Sequence, residues 1–147
     1  MKTDNYHRVF LGLGSNLGDR EGNIKEAIAR IAEQIGPVEA QSALYYSEPW
    51  GFDSTNTFVN AVIRVATTLT PHALLRATQR IERQLGKTAE HATQRSQSTI
   101  YHDRPIDIDI LLYDDLHIDT PKLKIPHPLM HERPFVMEPL KSLTDIS

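Results

Sequence analysis

In Arg104-Pro105-Ile106-Asp107-Ile108-Asp109-Ile110-Leu111-Leu112-Tyr113, the part from Ile106 to Tyr113 reads as a strand. Alternate residues of a strand share a face, so Ile106, Ile108, Ile110 and Leu112 point one way. Asp107 and Asp109 point the other way together, roughly 6–7 Å apart. A strand this apolar belongs inside a sheet. Two carboxylates on its far face repel unless a cation sits between them. Hard oxygen ligands suit magnesium, which also binds substrate phosphates. Alone, such a pair is more often a solvated acidic stripe. Arg104, three residues before Asp107, and the long polar segment 87–104 leading into it favour a phosphate and metal site. A structureless segment of that length is uncommon in a compact domain and is often a lid or binding loop.

Upstream, Val9-Phe10-Leu11-Gly12-Leu13 is a short apolar run before a Gly-Ser-Asn turn, and reads as a buried strand. From Asp19 the period becomes helical, with Ile24, Ala27, Ile28, Ile31 and Ile35 on one face. Gly36-Pro37 stops that helix, with Gly36 as its C-terminal cap. Val38–Tyr46 and Phe58–Ala66 read as strands, the latter alternating Val59, Ala61, Ile63 and Val65 against Asn60, Val62 and Arg64. Thr70-Pro71 starts a second helix, with the stripe Leu74, Thr78, Ile81 and Leu85 and Gly86 closing it. A short apolar helical stretch follows at 135–140. Strand, helix, strand, strand, helix, strand is the ferredoxin-like split pattern. The expected class is α+β, an antiparallel sheet with helices packed mainly on one face. The fold itself says little about function.

The 147 residues predict one domain, 1–147. A formal net charge of -3, with both signs interspersed, gives no general attraction to nucleic acid or anionic membrane. The absence of cysteine excludes disulfides, thiolate nucleophiles and Cys-type zinc sites. No apolar run approaches the roughly 20 residues that span a bilayer. A cytoplasmic protein, monomeric and without an obligate protein partner, is the expectation.

Three further constellations carry chemistry. Pro126-His127-Pro128 and Arg133-Pro134-Phe135 hold a histidine and an arginine on stiffened chain. Arginine offers a planar fork to phosphate oxygens, although either residue could serve an ordinary surface role. Trp50, Phe52 and Phe58 gather around a Pro-Gly turn, with Asn60 on the Phe58 face. Aromatics can sandwich a flat heterocycle and an amide can pair with its edge, but core packing is their usual fate. Gln79 and Glu82 share a face of the second helix, away from its buried stripe. Gly12-Leu13-Gly14-Ser15-Asn16 lacks the Gly-Lys-Ser/Thr ending of a phosphate loop and the third glycine of a dinucleotide fingerprint. It reads as a strand-to-helix turn.

In order, Gly14-Ser15-Asn16-Leu17-Gly18-Asp19, Tyr46-Ser47-Glu48-Pro49-Trp50-Gly51, Phe58-Val59-Asn60-Ala61, Gln79-Arg80-Ile81-Glu82, Arg104 through Leu111, and Pro126-His127-Pro128 through Pro139-Leu140 resemble the 6-hydroxymethyl-7,8-dihydropterin pyrophosphokinase family. The resemblance runs from Val9 to Leu140. It implies transfer of the β,γ-pyrophosphate of ATP to the pterin hydroxymethyl group, giving AMP and the pterin diphosphate, in folate biosynthesis. It further implies two magnesium ions on Asp107 and Asp109, and a catalytic role for these and Arg104. Arg104, His127 and Arg133 then contact ATP phosphates, while Gln79, Glu82 and Ile110 line the ATP side. Phe58 and Phe135 sandwich the pterin, Asn60 reads its edge, and Ser47 and Trp50 match the pterin-side loop. Many members have Trp-Gly-Pro-Arg before the acidic pair, where this chain has Tyr101-His102-Asp103-Arg104, and Gly-Arg where it has Gly86-Lys87. Lys87 and Arg95 are candidate phosphate ligands in a longer loop. The rival readings are an RNA-binding ferredoxin-like module and an inactive small-molecule binder on the same scaffold.

Overall fold

A computed structural model of the chain describes residues 6–47, 57–89 and 105–144, with backbone alone for 87–89 and 144. The elements run β1 (His7–Ser15), α1 (Arg20–Gln34), β2 (Val38–Gln41), β3 (Tyr45–Ser47), β4 (Phe58–Thr67), α2 (Pro71–Ala89), β5 (Asp107–Tyr113), β6 (Ile118–Asp119), β7 (Lys124–Ile125), a 3₁₀ turn at Met130–Glu132, and α3 (Pro134–Thr144). The main sheet is antiparallel in the order β2-β4-β1-β5, with β3 also on β4; β6 and β7 form a separate ribbon.

Each face follows from alternation. Val9, Leu11 and Leu13 of β1, Val59, Ala61, Ile63 and Val65 of β4, and Ile108 and Ile110 of β5 pack with Ile24, Ala27 and Ile31 of α1 and Leu74, Ala77, Ile81 and Leu85 of α2. The opposite face carries a smaller cluster of Phe10, Val62, Leu111, Met130, Val136 and Leu140, where α3 packs on β4. Two helices therefore cover one face, as expected, and the third covers part of the other.

The structure refines the sequence reading at four places. The strand expected at 38–46 is two short ones, broken at 42–44, where Ser42 bonds Val62 by its N–H and accepts the Val62 N–H on its hydroxyl. Gly86 does not close α2, which continues to Ala89; a side chain there would meet nothing within 4 Å. A helix-interior glycine costs only about 1 kcal/mol, which neighbouring turns absorb. Gly36 is needed for space: a Cβ would sit 1.9 Å from the Ala66 carbonyl oxygen. Finally, the register of β5 on β1 shifts between Phe10 and Leu11. The extra residue reverses the phase, so Leu112 joins the Leu111 cluster while Tyr113 lies on the α1–α2 side.

α1 starts on Asp19, whose carboxylate accepts the Gly22 N–H at 3.1 Å. Its first two residues reach the sheet. Arg20 Nη1 donates to Thr57 O and Oγ1, and Glu21 accepts from the Tyr46 hydroxyl.

Candidate functional site

The glycines read as a turn lie instead within central strand β1, which runs straight through to Ser15. Gly14 is paired with Asn60 on β4 and with Asp107 on β5; Gly12 is paired with Val62 and Asp109. Two rows thus cross the sheet, Asn60–Gly14–Asp107 and Val62–Gly12–Asp109. Adjacent strands lie about 4.8 Å apart, so each row spans roughly 10 Å. With glycine in the middle of both, the sheet has a shallow trough between an amide and two carboxylates. Phe58, Arg133, Phe135, Val136 and His127 wall it, and the resulting cavity measures about 220 Å³. Asp107 and Asp109 are both half-buried there, on one face as the alternation required.

Asn60 is 5% exposed. Its Nδ2 donates to Tyr45 O at 3.1 Å and to Ser47 Oγ at 2.9 Å. Both amide hydrogens are thereby used, and Oδ1 is the end turned toward Gly14. Ser47 therefore acts on Asn60, holding its orientation. The Arg133 guanidinium stands 5.8 Å from the centroid of the Phe135 ring, fixing both residues at the start of α3.

His127 follows the cis Ile125–Pro126 bond. Its backbone N–H bonds Leu111 O at 3.1 Å, which ties the segment to β5. Its Nδ1 accepts the Leu129 N–H at 3.3 Å, so the neutral ring carries its proton on Nε2, 3.9 Å from Asp109 Oδ2. Burial and then the nearby Arg133 charge push its pKa below the ordinary value of 6.5, with Asp107 opposing them.

A second cavity of about 260 Å³ opens on the other side of Asp109 and His127. Leu75, Ile108, Ile110, Leu123 and Pro128 supply apolar walls, and Lys122 and Lys124 supply positive charge. Lys124 Nζ bonds Asp119 at 2.6 Å. The two lysines escaped the sequence reading. Their signal was only the Lys122-Leu123-Lys124 alternation leading into β7, which gives no hint of a cavity. Ile110 lines this second cavity as well.

Glu82, expected on the ATP side, also touches β5. Its Oε2 accepts the Ile108 N–H at 2.7 Å, directly between the two acids of β5. Among the described residues β5 stands at the edge of the sheet, where this outward N–H has no strand partner. Gln79 is exposed on α2 and lines neither cavity. Trp50, Arg95, Tyr101 and Arg104 lie outside the described residues, as does the side chain of Lys87.

Among the described residues no group of three or more His, Cys, Asp or Glu could hold a metal ion. A pair of carboxylates fits magnesium in particular, because that ion takes one or two carboxylates and completes its shell with water and substrate phosphates. Among the described residues no helix is long and apolar enough to cross a membrane.

The profile of the family described as 7,8-dihydro-6-hydroxymethylpterin-pyrophosphokinase (HPPK) matches residues 10–145. A 2-amino-4-hydroxy-6-hydroxymethyldihydropteridine pyrophosphokinase of Porphyromonas gingivalis is 44% identical over 136 residues, which cover 92% of this chain and 89% of that one. The Aquifex aeolicus protein of the same name is 40% identical, covering 90% and 77%. A crystal structure of Plasmodium falciparum HPPK-DHPS with pterin and p-hydrobenzoate has a TM-score of 0.64 at 14% identity, over 92% of this chain and 40% of that longer one. The acidic pair, the Pro-His-Pro segment and the Phe58–Asn60 strand all fall within the matched span. This chain belongs to the 7,8-dihydro-6-hydroxymethylpterin-pyrophosphokinase family.

Proposed function

We propose that the two cavities are the two substrate sites of a pyrophosphokinase, the pterin in the first and ATP in the second. The chain is an enzyme of folate synthesis that transfers pyrophosphate from ATP to 6-hydroxymethyl-7,8-dihydropterin, giving AMP and the pterin diphosphate. The observation that carries the site assignment is that both cavities are lined by Asp109 and His127. Two ligands seated in them have their reacting ends at one place. That converts a bimolecular encounter into a positioned one.

In this assignment Phe58 and Phe135 hold the heterocycle and Asn60 Oδ1 accepts from its edge. Asp107 and Asp109 hold magnesium, two ions in the full complex. When bound, that metal neutralises phosphate charge and acidifies the acceptor hydroxyl. His127 donates its Nε2 proton toward a phosphate oxygen, and Arg133 offers its guanidinium from the pterin side. Lys122 and Lys124 face the nucleotide, and Lys87 and Arg104 belong to the same phosphate set. The hydroxymethyl oxygen bonds the β-phosphorus, the α–β bridge breaks, AMP leaves and the hydroxyl proton passes to solvent. Positioning and charge neutralisation suffice for such a transfer, without a dedicated general base.

The ferredoxin-like label, a single domain, a cytoplasmic monomer and the absence of nucleic-acid or protein partners belong to the same proposal. The label is supported by the β2-β4-β1-β5 order, with α1 and α2 on one face. An RNA-binding reading meets an obstacle in α3, which covers part of the sheet face such modules leave open, and in the two aspartates on that face. The test is a product assay with ATP, magnesium and the pterin, and an EDTA control. AMP formed only when both pterin and magnesium are present is expected. ADP as product, or no turnover with both ligands bound, would overturn it.

A further inference from the structure

We infer that Gly14 is a specificity-determining residue, because its missing side chain keeps the Asn60 carbonyl oxygen open as a hydrogen-bond acceptor in the floor of the first cavity. The ligand must then be a flat heterocycle presenting an N–H or amino group at that edge. The inference rests on the assignment of the first cavity to the pterin.

Gly14 has no conformational reason to be glycine. It sits in a central strand paired on both sides, and its φ is not among the positive ones. Glycine inside a strand costs roughly 0.5–1 kcal/mol relative to alanine, and often marks the close approach of a ligand. Its surroundings supply the reason. A Cβ on Gly14 would stand 3.2 Å from Asn60 Oδ1 and 3.5 Å from Phe58 Cδ1. The first distance is tight, the second an ordinary contact. Asn60 cannot yield easily, because its Nδ2 is held by Tyr45 O and Ser47 Oγ from β3. The same two bonds remove the amide's donor end from the ligand and leave only the acceptor. A methyl group at Gly14 would therefore cover the one polar atom that Asn60 offers, beside the ring face of Phe58. Gly12, one row along, differs: a Cβ there would come nearest to the Leu111 side chain, at 3.4 Å.

The experiment is a double-mutant cycle read by calorimetry. Binding of 6-hydroxymethyl-7,8-dihydropterin, with a non-hydrolysable ATP analogue present, is measured for wild type, Gly14→Ala, Asn60→Ala and the double variant. Gly14→Ala is expected to weaken pterin binding about tenfold or more, with affinity for the analogue alone unchanged and a cooperative melt that shows the variant folded. In the Asn60→Ala background the glycine substitution is expected to change pterin affinity less than about twofold. Should Gly14→Ala fail to fold, the double variant, with the crowding oxygen removed, is expected to fold and to match Asn60→Ala in affinity. Wild-type-like pterin affinity in Gly14→Ala would overturn the inference. So would a further large loss in the Asn60→Ala background, which would make Gly14 mere space. Failure of the wild type to bind the pterin at all would overturn the cavity assignment, and the inference with it.

Discussion

Glu82→Ala tests whether β5, with its two aspartates, is held from behind. Glu82 Oε2 accepts the Ile108 N–H at 2.7 Å, on the outer edge of β5 and between Asp107 and Asp109. A hydrogen bond to a charged group contributes about 1.5–3 kcal/mol, and a buried N–H left without a partner costs a similar amount. Alanine should therefore lower stability by about 2 kcal/mol, or about 6 °C in melting temperature for a domain of this size. Glutamine keeps an acceptor without its charge and should lose about half as much, since charge-assisted bonds are about twice as strong. The functional consequence is larger than the structural one. Ile108 spaces the two carboxylates, and loss of its anchor lets their separation vary, so turnover should fall about tenfold in the alanine variant. Thermal melts and AMP formation at saturating ATP read the two effects. An alanine variant melting within about 1 °C of wild type, with unchanged turnover, would refute the anchoring argument.

Asp109→Ala removes the carboxylate shared by both cavities and should cost about 10²-fold or more in turnover with the fold intact; near wild-type AMP formation would sink the metal assignment. Phe135→Ala should weaken pterin binding about tenfold while leaving binding of an ATP analogue unchanged, which titration of each ligand alone resolves. Gly36→Ala should destabilise by about 3 kcal/mol or more, because the new methyl would overlap the Ala66 carbonyl; urea titration gives the figure. Tyr113 donates to Leu69 O at 2.6 Å, and burial together with the Asp114 charge raises its phenol above the ordinary range. A raised folded value stabilises the fold fully below about pH 10 and is lost as pH rises through it, so Tyr113→Phe should show a shallower alkaline loss of stability than wild type.

Much of the site was legible before the fold. Strand alternation alone put Asp107 and Asp109 on one face, and Phe58 and Asn60 on another strand's face, because a period of two is local chemistry. Family order then supplied the partners of each. The helix stripes were equally local: Ile24, Ala27 and Ile31, and Leu74, Thr78, Ile81 and Leu85, are buried as their spacing required.

What depended on tertiary structure is everything that needs a second strand or a cavity. Whether Gly12 and Gly14 are a turn or a trough depends on β4 and β5 pairing across them. That Glu82 meets the Ile108 N–H depends on α2 packing beside β5. The register shift at Leu111, invisible in an unbroken apolar run, puts Leu112 on the same face as Leu111 and Tyr113 on that of Ile110. Lys122 and Lys124 acquire a place only when their ribbon folds back beside Asp109. By itself the sequence determined which residues share a face, through bond geometry within one element. The tertiary structure decided what each face meets, because pairing and packing join residues that are distant along the chain.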